Sequence, residues 1–396
     1  MRLLHVVPTY LPALRYGGPI QSVHALCRGL ASEGHDVHVY TTSVDGPSDS
    51  DVPLLTPVDL EGVKVTYFPS RNLRRLYWSP PMGRALTATA GRFDLVHLHA
   101  IYLWPIWAGA RAARRQGVPY VMSPRGMLVP ELIRRKSRWV KTAWIELIER
   151  GNLEQASAIH VTSLAEAEHV ASFGWRLPRL AMIPHGVDDP PEPSAARLST
   201  DVAEAIAAPG PIVLALGRIS WEKGLDRLIA AVPLAPPVRV VLAGGDADGQ
   251  AAQLADQARN LGVGDRVRII ARHVDGADKE ALFAAAQVFA MTSLSENFGL
   301  AAFEALRRAV PVLATPGVGM AEIVRETGAG LVVDPAPPSI AGGLAELLAD
   351  KARSRAMGEL GRARVIEAYS WSGVARRMAE LYASILDERR VAAAAS

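Results

Sequence analysis

The sequence has one cysteine, little net charge and no long apolar segment, and each absence excludes a class of protein. Cys27 alone cannot build a disulfide framework or a cysteine-based zinc site. Forty-three Lys and Arg against 40 Asp and Glu leave a formal charge of +3, too little to predict a nucleic-acid-binding face. The apolar runs are far shorter than the roughly 20 residues of a membrane-spanning helix, and no secretory signal follows MRLLHVVP. We therefore expect a cytoplasmic protein without a nucleic-acid partner.

The chain is long enough for two hydrophobic cores. It has 396 residues, of which 49% are hydrophobic, although only 6% are aromatic. Its 33 glycines and 28 prolines are spread along the chain instead of forming a repeat, which argues against a disordered or fibrous protein. Two globular domains are expected at this length.

Short runs of Val, Ile and Leu alternate with segments of helical length, which is typical of parallel strands with crossover helices. The first series comprises Leu3 to Val7, Val37 to Thr41, Val63 to Phe68, Leu95 to His99, Tyr120 to Met122 and Ile159 to Thr162. The second comprises Ile212 to Leu216, Val238 to Ala243, Val267 to Ile270, Val288 to Met291, Val312 to Ala314 and Leu331 to Val333. The pattern predicts the α/β class, with two Rossmann-like doubly wound domains.

The proline-rich stretch DDPPEPSAARLS marks the boundary between the two series. We predict a first domain at 1–187, a linker at 188–208 and a second domain at 209–370. The apolar residues after Trp371 recur at helical spacing and predict a C-terminal helix over 371–396. Since ligands of open α/β sheets bind at the carboxyl ends of strands, two facing domains would form a cleft there.

The loop after the first strand contains Gly17 and Gly18, followed by Pro19 and an apolar-faced helix. Two glycines before a helix let the backbone approach a phosphate at the positive end of the helix dipole. The motif is not GxGxxG, so no dinucleotide-binding fingerprint is present. A turn that binds no ligand is an equally good explanation of the two glycines.

The strand Ile212 to Leu216 runs into GRISWEKG, which places Arg218 and Lys223 five residues apart in one loop. An arginine fork and a lysine point charge together suit a diphosphate. A solvated surface loop is the usual explanation of such a pair. The position at the carboxyl end of a strand favours the diphosphate.

The segment SENFGLAAFEA follows the strand Val288 to Met291 and contains Glu296 and Glu304. Glu304 falls on a helix of Ala, Leu and Phe, where a carboxylate is costly unless a partner donates hydrogen bonds to it. The vicinal hydroxyls of a ribose are such donors. The favourable dipole at a helix N-terminus accounts for Glu296 but leaves Glu304 unexplained.

The strand Leu95 to His99 places His97 and His99 on one face, with His99 at its carboxyl end. No third ligand is evident nearby, so we predict no zinc site and interpret His99 as a substrate contact. Asp246 and Asp248 in GGDADG lack the full calcium-loop pattern and are interpreted as turn residues. The sequence therefore predicts no metal site.

A basic segment follows the strand Tyr120 to Met122. Arg125 lies in a Pro- and Gly-framed loop, and a predicted helix over 132–144 interleaves cations with apolar residues. The cations of this helix are Arg134, Arg135, Lys136, Arg138 and Lys141. Such a helix binds an anionic membrane surface or a pyrophosphate, and a solvated charged face is the alternative.

Together these motifs resemble those of GT-B glycosyltransferases of the retaining family 4. The resemblance covers nearly the whole chain and rests on GRISWEKG, on SENFGLAAFEA with Glu296 and Glu304, on the early Gly-Gly loop, on HLH at 97–99 and on IPHGVD at 183–188. His185 departs from the family, in which many members have Asn. The SPRGM stretch is similar to that of enzymes of bacterial exopolysaccharide and lipopolysaccharide assembly.

The resemblance implies a role for each motif. Arg218 and Lys223 would hold the donor diphosphate, and Glu304 would bind the ribose. Glu296 would meet the transferred sugar and the distal phosphate, and His99 would contact the sugar near the reacting centre. Backbone contacts to the donor would come from Asn297, Phe298, Gly299, Leu300 and, in the first domain, Gly17 and Gly18.

The implied activity is transfer of a sugar from a GDP- or UDP-sugar to a glycan acceptor, with retention at the anomeric carbon. The resemblance implies a lipid-linked acceptor, a role in cell-surface polysaccharide synthesis and no metal cofactor. The C-terminal helix would return to the first domain. The enzyme would be cytoplasmic, with a peripheral contact to the inner membrane through 132–144 as a further hypothesis.

Two other functions stay open. A nucleotide-sugar 2-epimerase shares the scaffold and would convert the donor without an acceptor. A non-catalytic nucleotide-sugar-binding partner of another transferase would need only part of the set formed by Arg218, Lys223, Glu296 and Glu304.

Overall fold

In a computed structural model the chain forms two compact units. Unit 1 comprises Met1–Gly186 and Trp371–Ser396, and unit 2 comprises Val187–Ser370. The structure describes residues 1–13, 18–130, 133, 144–188, 197–246 and 249–394. Within these ranges, no helix combines the length and apolar character that crossing a membrane requires.

Unit 1 is an α/β layered structure. Its strands are β1 (Arg2–Val6), β2 (Asp36–Thr42), β3 (Val44–Asp45), β4 (Ser48–Asp49), β5 (Pro57–Leu60), β6 (Val63–Phe68), β7 (Leu95–His99), β8 (Tyr120–Ser123), β9 (Ala158–Val161) and β10 (Leu180–Met182). Its helices up to the boundary are α1 (Gly18–Ser32), α2 (Pro80–Thr89), α3 (Trp104–Arg115), a π-helix (Ile145–Glu149), α4 (Arg150–Glu154) and α5 (Leu164–Ala171), with 3₁₀ turns at Arg74–Leu76 and Ala90–Arg92.

The main sheet of unit 1 has the order β10-β9-β8-β7-β1-β2-β6-β5. All neighbours are parallel except β5, which pairs antiparallel with β6 at the edge, and β3 and β4 form a separate antiparallel pair. The central strands are buried on both faces, as crossover helices require. Because β1 lies between β7 and β2, His5 is directly opposite His97.

Unit 2 repeats this architecture. Its strands are β11 (Ile212–Leu216), β12 (Arg239–Ala243), β13 (Val267–Ile270), β14 (Ala286–Met291), β15 (Val312–Ala314) and β16 (Gly330–Val332). Its helices are α6 (Thr200–Ala207), α7 (Leu225–Ala231), α8 (Gln250–Asn260), α9 (Gly276–Ala285), α10 (Leu300–Arg307), α11 (Ala321–Thr327), α12 (Pro337–Ala349) and α13 (Lys351–Ala368), with 3₁₀ turns at Trp221–Lys223 and Val232–Leu234.

The sheet of unit 2 is entirely parallel, in the order β13-β12-β11-β14-β15-β16. The order places β11 beside β14 along Ile212–Leu214, although β12 and β13 lie between the two strands in the chain. The loops that follow these two strands therefore leave the sheet at neighbouring positions. The predicted α/β class is confirmed in both units.

The last helix, α14 (Trp371–Ala394), packs on α1 of unit 1. Its apolar stripe, including Val374, Met378 and Tyr382, is buried. A Cβ atom at Gly29 of α1 would lie 2.8 Å from the Cβ of Ala375, so glycine permits the close approach of the two helices. The return of the C-terminal helix to the first unit follows from this contact.

The predicted linker at 188–208 is wrong in its second half. Residues Thr200–Ala207 form α6, in which Val202 and Ala205 are buried, and they belong to unit 2. Two buried positions in eight residues give too short an apolar pattern to recognise beside a proline-rich run. Residues 189–196 lie outside the described residues.

Arg272 fixes α6 to the rest of unit 2. Its guanidinium donates to Asp201 at 2.8 Å and to Asp278 at 2.7 Å, while the backbone N–H and hydroxyl of Ser199 also donate to Asp278. Burial raises the pKa of Asp278, but the hydrogen bonds from Ser199 and Arg272 lower it by more, so the net shift is downward. The ionised carboxylate is thus stabilised in the folded state.

Replacing Arg272 by alanine should therefore lower the free energy of unfolding of unit 2 by about 1–2 kcal/mol at neutral pH. This value is already reduced for the partial exposure of the arginine, since solvent weakens the ion pairs. The contribution of Asp278 is present above the ordinary carboxyl pKa of the unfolded chain and is lost as the pH falls through the lowered folded-state value. Urea denaturation should show a lower midpoint for Arg272→Ala at neutral pH and no difference at strongly acidic pH. Equal midpoints at neutral pH would contradict the anchoring role.

Candidate active site

The loops that follow β11 and β14 meet at one end of the unit 2 sheet and line a pocket. Gly217, Arg218, Lys223, Thr292 and Ser293 all contribute to its walls. Gly224 has a left-handed φ of 59°, and a Cβ atom there would collide with the carbonyl oxygen of Thr292. The hydroxyl of Thr292 donates to the carbonyl oxygen of Gly224 at 3.0 Å. Glycine at 224 is thus required for the close approach of the two loops.

Lys223 and Glu296 form an ion pair across these two loops. Their side chains are 19% and 21% exposed, so the pair is largely buried but still reaches the surface. Arg218 is more exposed, at 57%, and donates to Glu222 at 3.3 Å. The structure thus brings together three of the residues that the sequence predicted for the donor: two cations and one carboxylate.

Backbone contacts fix the segment from Glu296 to the start of α10. The N–H of Glu296 donates to the carbonyl oxygen of Gly317 at 2.9 Å, and the N–H of Gly319 donates back to Glu296 at 2.8 Å. Gly299, with a φ of 89°, is the N-cap from which α10 begins at Leu300. Asn297 and Phe298 lie between these two points. The main chain at the predicted phosphate contacts is therefore held in one conformation.

The side chain of Phe298 belongs to the core and is 5% exposed. Its ring stacks on Phe303 with centroids 4.3 Å apart and an interplanar angle of 1°. A ligand at this loop could therefore meet the backbone of residue 298 but not its ring.

Glu304 accepts a hydrogen bond from Lys279 of α9 at 3.0 Å. Their side chains are 24% and 20% exposed. No sequence pattern pointed to Lys279, because it lies 25 residues earlier on a different helix. Lys279 thus supplies the hydrogen-bond donor that the carboxylate of Glu304 requires, and the carboxylate stays partly exposed.

The other predicted positions fall in several places. Gly18 is the first residue of α1, whereas Gly17 lies outside the described residues. Of the basic segment 132–144, only Ile133 and Trp144 are described. Asp246 accepts hydrogen bonds from the N–H groups of Gln250 and Ala251 at the start of α8, in agreement with a turn role, and Asp248 is outside the described residues.

Unit 1 contains a cluster of three histidines, contrary to the expectation that no third ligand lies near His97 and His99. His5 of β1 is the third member, and one ring nitrogen from each residue lies within 4.8 Å of the others. The sequence separation of more than 90 residues concealed it. Arg125 donates to His99 at 2.9 Å, and its charge beside the cluster favours hydrogen-bonded neutral rings over a bound cation.

His97 belongs to a series of hydrogen bonds that links His160, Ser123 and Tyr382. Only one placement of the protons satisfies every donor and acceptor in it. His160 Nε2 lies 2.7 Å from the carbonyl oxygen of Ile183 and must donate to it, so its Nδ1 accepts from the Ser123 hydroxyl at 2.7 Å. Ser123 then accepts from His97 Nε2 at 2.6 Å. His97 Nδ1 in turn accepts from the hydroxyl of Tyr382 on α14, also at 2.6 Å.

His99 is 2% exposed, and both its ring nitrogens have partners within unit 1. Burial and then the charges of His97 and Arg125 hold its pKa well below the ordinary value. A sugar could reach an imidazole nitrogen only by replacing one of these partners. The predicted sugar contact through His99 therefore stays a prediction, with that condition attached.

Arg125 does not belong to the basic segment with which its sequence position grouped it. Its guanidinium contacts Ser22 and His185 at 3.3 Å as well as His99. Burial lowers its pKa to about 10, and the charge of Glu166 opposes that shift. Arg125 is thus part of the histidine cluster at the carboxyl ends of β7 and β8.

The backbone that follows His99 is strained. Ala100 and Tyr102 have left-handed φ values of 86° and 67°, which cost free energy in residues with a side chain. The N–H of Tyr102 donates at 2.7 Å to Glu149, a buried carboxylate in the π-helix that also accepts from Trp144. Burial raises the pKa of Glu149, and these two donors oppose the shift. Strain and π-helices both concentrate at functional sites.

Comparison with known proteins assigns the chain to a family. The model for glycosyl transferases group 1 matches residues 199–364, and the glycosyl transferase 4-like domain matches residues 17–186. The D-inositol 3-phosphate glycosyltransferase of Xylanimonas cellulosilytica is 30% identical over 94% of this chain and 93% of its own. The chain belongs to the group 1 glycosyl transferases.

Two further proteins are similar to this chain over nearly its whole length. The GDP-mannose:cellobiosyl-diphosphopolyprenol alpha-mannosyltransferase of Komagataeibacter xylinus is 28% identical over 98% of this chain and 94% of its own. Anabaena HepE, solved with UDP and glucose, has a TM-score of 0.75 and 20% identity over 97% of this chain and all of its own. The likeness to HepE shows the fold, and this glycosyl transferase has the GT-B architecture.

Proposed function

We propose that this glycosyl transferase moves a sugar from a nucleoside-diphosphate sugar to a glycan acceptor with retention at the anomeric carbon. The observation that carries the proposal is that Arg218 and Lys223 line the pocket of unit 2 and that Lys223 pairs there with Glu296 of the neighbouring loop. Two cations and a carboxylate at one strand end match a ligand that joins a diphosphate to a sugar.

The proposed mechanism stabilises the leaving group. As the bond from the sugar to the phosphate stretches, negative charge grows on the diphosphate. Lys223 and Arg218 lie where they could take up that charge, and the start of α10 adds backbone amides. A phosphate oxygen on the same face would accept the proton of the acceptor hydroxyl. Because Arg218 and Lys223 supply the positive charge, this mechanism needs no metal ion. We therefore expect full activity in the presence of a chelator.

The names of relatives narrow the donor and acceptor classes. HepE was solved with UDP and glucose, and the Komagataeibacter enzyme is named for GDP-mannose and a diphosphopolyprenol acceptor. We propose a UDP- or GDP-hexose donor, Glu304 as the ribose contact and a lipid-linked acceptor in cell-surface polysaccharide synthesis. Thermal-shift measurements with nucleotides and nucleotide sugars would rank the donors, since a specific ligand stabilises the folded state.

Incubation of the enzyme with the preferred donor and a lipid-linked oligosaccharide tests the activity. We expect a product whose new linkage has the anomeric configuration of the donor by NMR. Inversion would overturn the retaining proposal. Donor alone should give slow hydrolysis, whereas an epimerised donor would favour the 2-epimerase, and an unchanged donor in both reactions would favour a non-catalytic binding protein.

The segment 132–144 carries a separate hypothesis of peripheral contact with the inner membrane. Its support is the sequence pattern of cations between apolar residues. Neutralising Arg134, Arg135, Lys136 and Arg138 should release the protein from anionic vesicles. Unchanged vesicle binding and lipid-acceptor activity would remove the hypothesis.

A further inference from the structure

We propose that Arg125 is a positioning residue that holds His99 in one tautomer, with the proton on Nε2, and so fixes its ring at the carboxyl end of β7. The activity half of this proposal rests on the proposed function. The tautomer half does not, and the two are tested separately.

The hydrogen bonds of His99 determine its tautomer. A guanidinium group has donors only, so the 2.9 Å contact from Arg125 requires His99 Nδ1 to be the acceptor. The neutral ring then carries its proton on Nε2, which donates to His5 Nδ1 at 2.9 Å. His5 consequently carries its own proton on Nε2, and within the described part of the chain that buried atom has no partner. Arg125 therefore donates to His99, and His99 in turn donates to His5.

The loop that presents Arg125 is built to hold this side chain. Arg125 has a left-handed φ of 58°, a conformation that glycine or asparagine adopts at lower cost. The next N–H, of Gly126, donates at 2.6 Å to the buried carboxylate of Glu166, which also accepts from the N–H of Thr162 at 2.7 Å. The turn is thus fixed at Gly126 by a carboxylate that Thr162 holds in place. A strained position occupied by a long cationic side chain indicates that the side chain itself is needed.

No other cation can replace Arg125 in this arrangement. One terminal nitrogen of its guanidinium contacts His185 and Ser22 at 3.3 Å while the other contacts His99. A lysine has a single ammonium group and cannot span these partners as a planar fork does. The fork therefore sets the ring orientation of His99 as well as its tautomer.

The charges around His99 keep it neutral. Each of the titratable groups around His99 disfavours its protonation. They are His97 on the same strand, His5 on β1, His160 on β9 and Arg125 after β8. Removing Arg125 takes away the formal cation and frees Nδ1 to accept or carry a proton. Burial, the largest cause of the low His99 pKa, persists in such a variant, so the ring should stay neutral while its tautomer becomes free to change.

Histidine-selective ¹⁵N NMR of the full chain tests the tautomer, with His99→Gln used to assign the signals. In the wild type, His99 should show the Nε2-protonated pattern without change between mildly acidic and mildly alkaline pH. Arg125→Met should mix the tautomers of a ring that stays neutral, because its burial persists. An Nδ1-protonated His99 in the wild type, or an unchanged pattern in Arg125→Met, would overturn the proposal.

Transfer kinetics test whether the positioning matters for activity. Arg125→Met should lower kcat by about 100-fold with little change in the donor KM, because a misplaced contact acts on the reacting geometry. Arg125→Lys should not restore kcat. Unchanged kcat in Arg125→Met would leave the arginine a purely structural role and overturn this half.

Arg114→Met is the matched control. Arg114 is also a half-buried arginine of unit 1 and donates to Asn152 at 2.9 Å, away from the histidine cluster. Its replacement should leave the His99 signals and kcat unchanged. If the wild type transfers no sugar, the proposed function fails while the NMR measurement still decides the tautomer.

Discussion

Replacing Lys223 by alanine is expected to lower kcat for sugar transfer by about 100- to 1,000-fold, the loss typical of removing one preorganised charge-stabilising group. Lys223 lies at the end of a 3₁₀ turn between two fixed loops and is 19% exposed. Its charge is therefore held in place before the diphosphate leaves, and little reorganisation is needed when negative charge develops. The loss should persist at saturating donor, because the contact strengthens in the transition state.

Variants of Glu296 separate the contribution of the Lys223 charge to kcat from the contribution of its ion pair. Glu296→Gln removes the carboxylate and leaves the lysine charge, so it should spare donor diphosphate binding more than Lys223→Ala does. The double variant should lose less than the sum of the single losses, because each single change leaves its partner without a counter-ion. Steady-state kinetics of all four proteins at saturating donor measure the coupling.

Arg259→Ala supplies the control for a lost charge. Arg259 is 70% exposed on α8 of the same unit and pairs with the nearby Asp256. Its replacement should leave kcat within about twofold of the wild type, as expected for an exposed pair. Near-normal transfer by a double Arg218→Ala and Lys223→Ala variant at saturating donor would contradict the proposed role of the two cations in stabilising the diphosphate.

The strands were predictable because their signal is local. Val63–Phe68, Leu95–His99 and Ile212–Leu216 have in the structure the bounds that their apolar runs predicted. In a parallel sheet covered on both faces, each strand must be apolar along its whole length. The loops after such strands could therefore be recognised as positions for functional residues before any pairing was known.

Long-range partners could not be predicted in this way. His5 joins His97 only because β1 is inserted between β7 and β2, an order that apolar periodicity does not encode. Lys279 reaches Glu304 through the packing of two helices. Arg125 was grouped with the cations that follow it because sequence proximity was the available guide, whereas its turn directs it to the histidines instead. Each of these contacts depends on topology.

Glu304→Gln is expected to weaken nucleoside-diphosphate binding by about 10- to 100-fold. Hydrogen bonds to a charged group contribute roughly 1.5–3 kcal/mol, and a ribose offers two hydroxyl donors to one carboxylate. The change retains the shape of the side chain and removes its charge, so the packing of α10 should persist. Isothermal titration calorimetry with the preferred nucleoside diphosphate measures the loss.

Lys279 distinguishes the ribose role from a purely structural ion pair. If Glu304 served only to neutralise Lys279, the Lys279→Met variant would lower stability, and Glu304→Gln would leave nucleotide affinity unchanged. If Glu304 binds ribose, Glu304→Gln weakens binding in the Lys279→Met background as well, because the hydroxyls and not the lysine are the partners that matter. Measuring affinity in both backgrounds therefore separates a carboxylate held by the lysine for a ligand from one that the lysine merely satisfies.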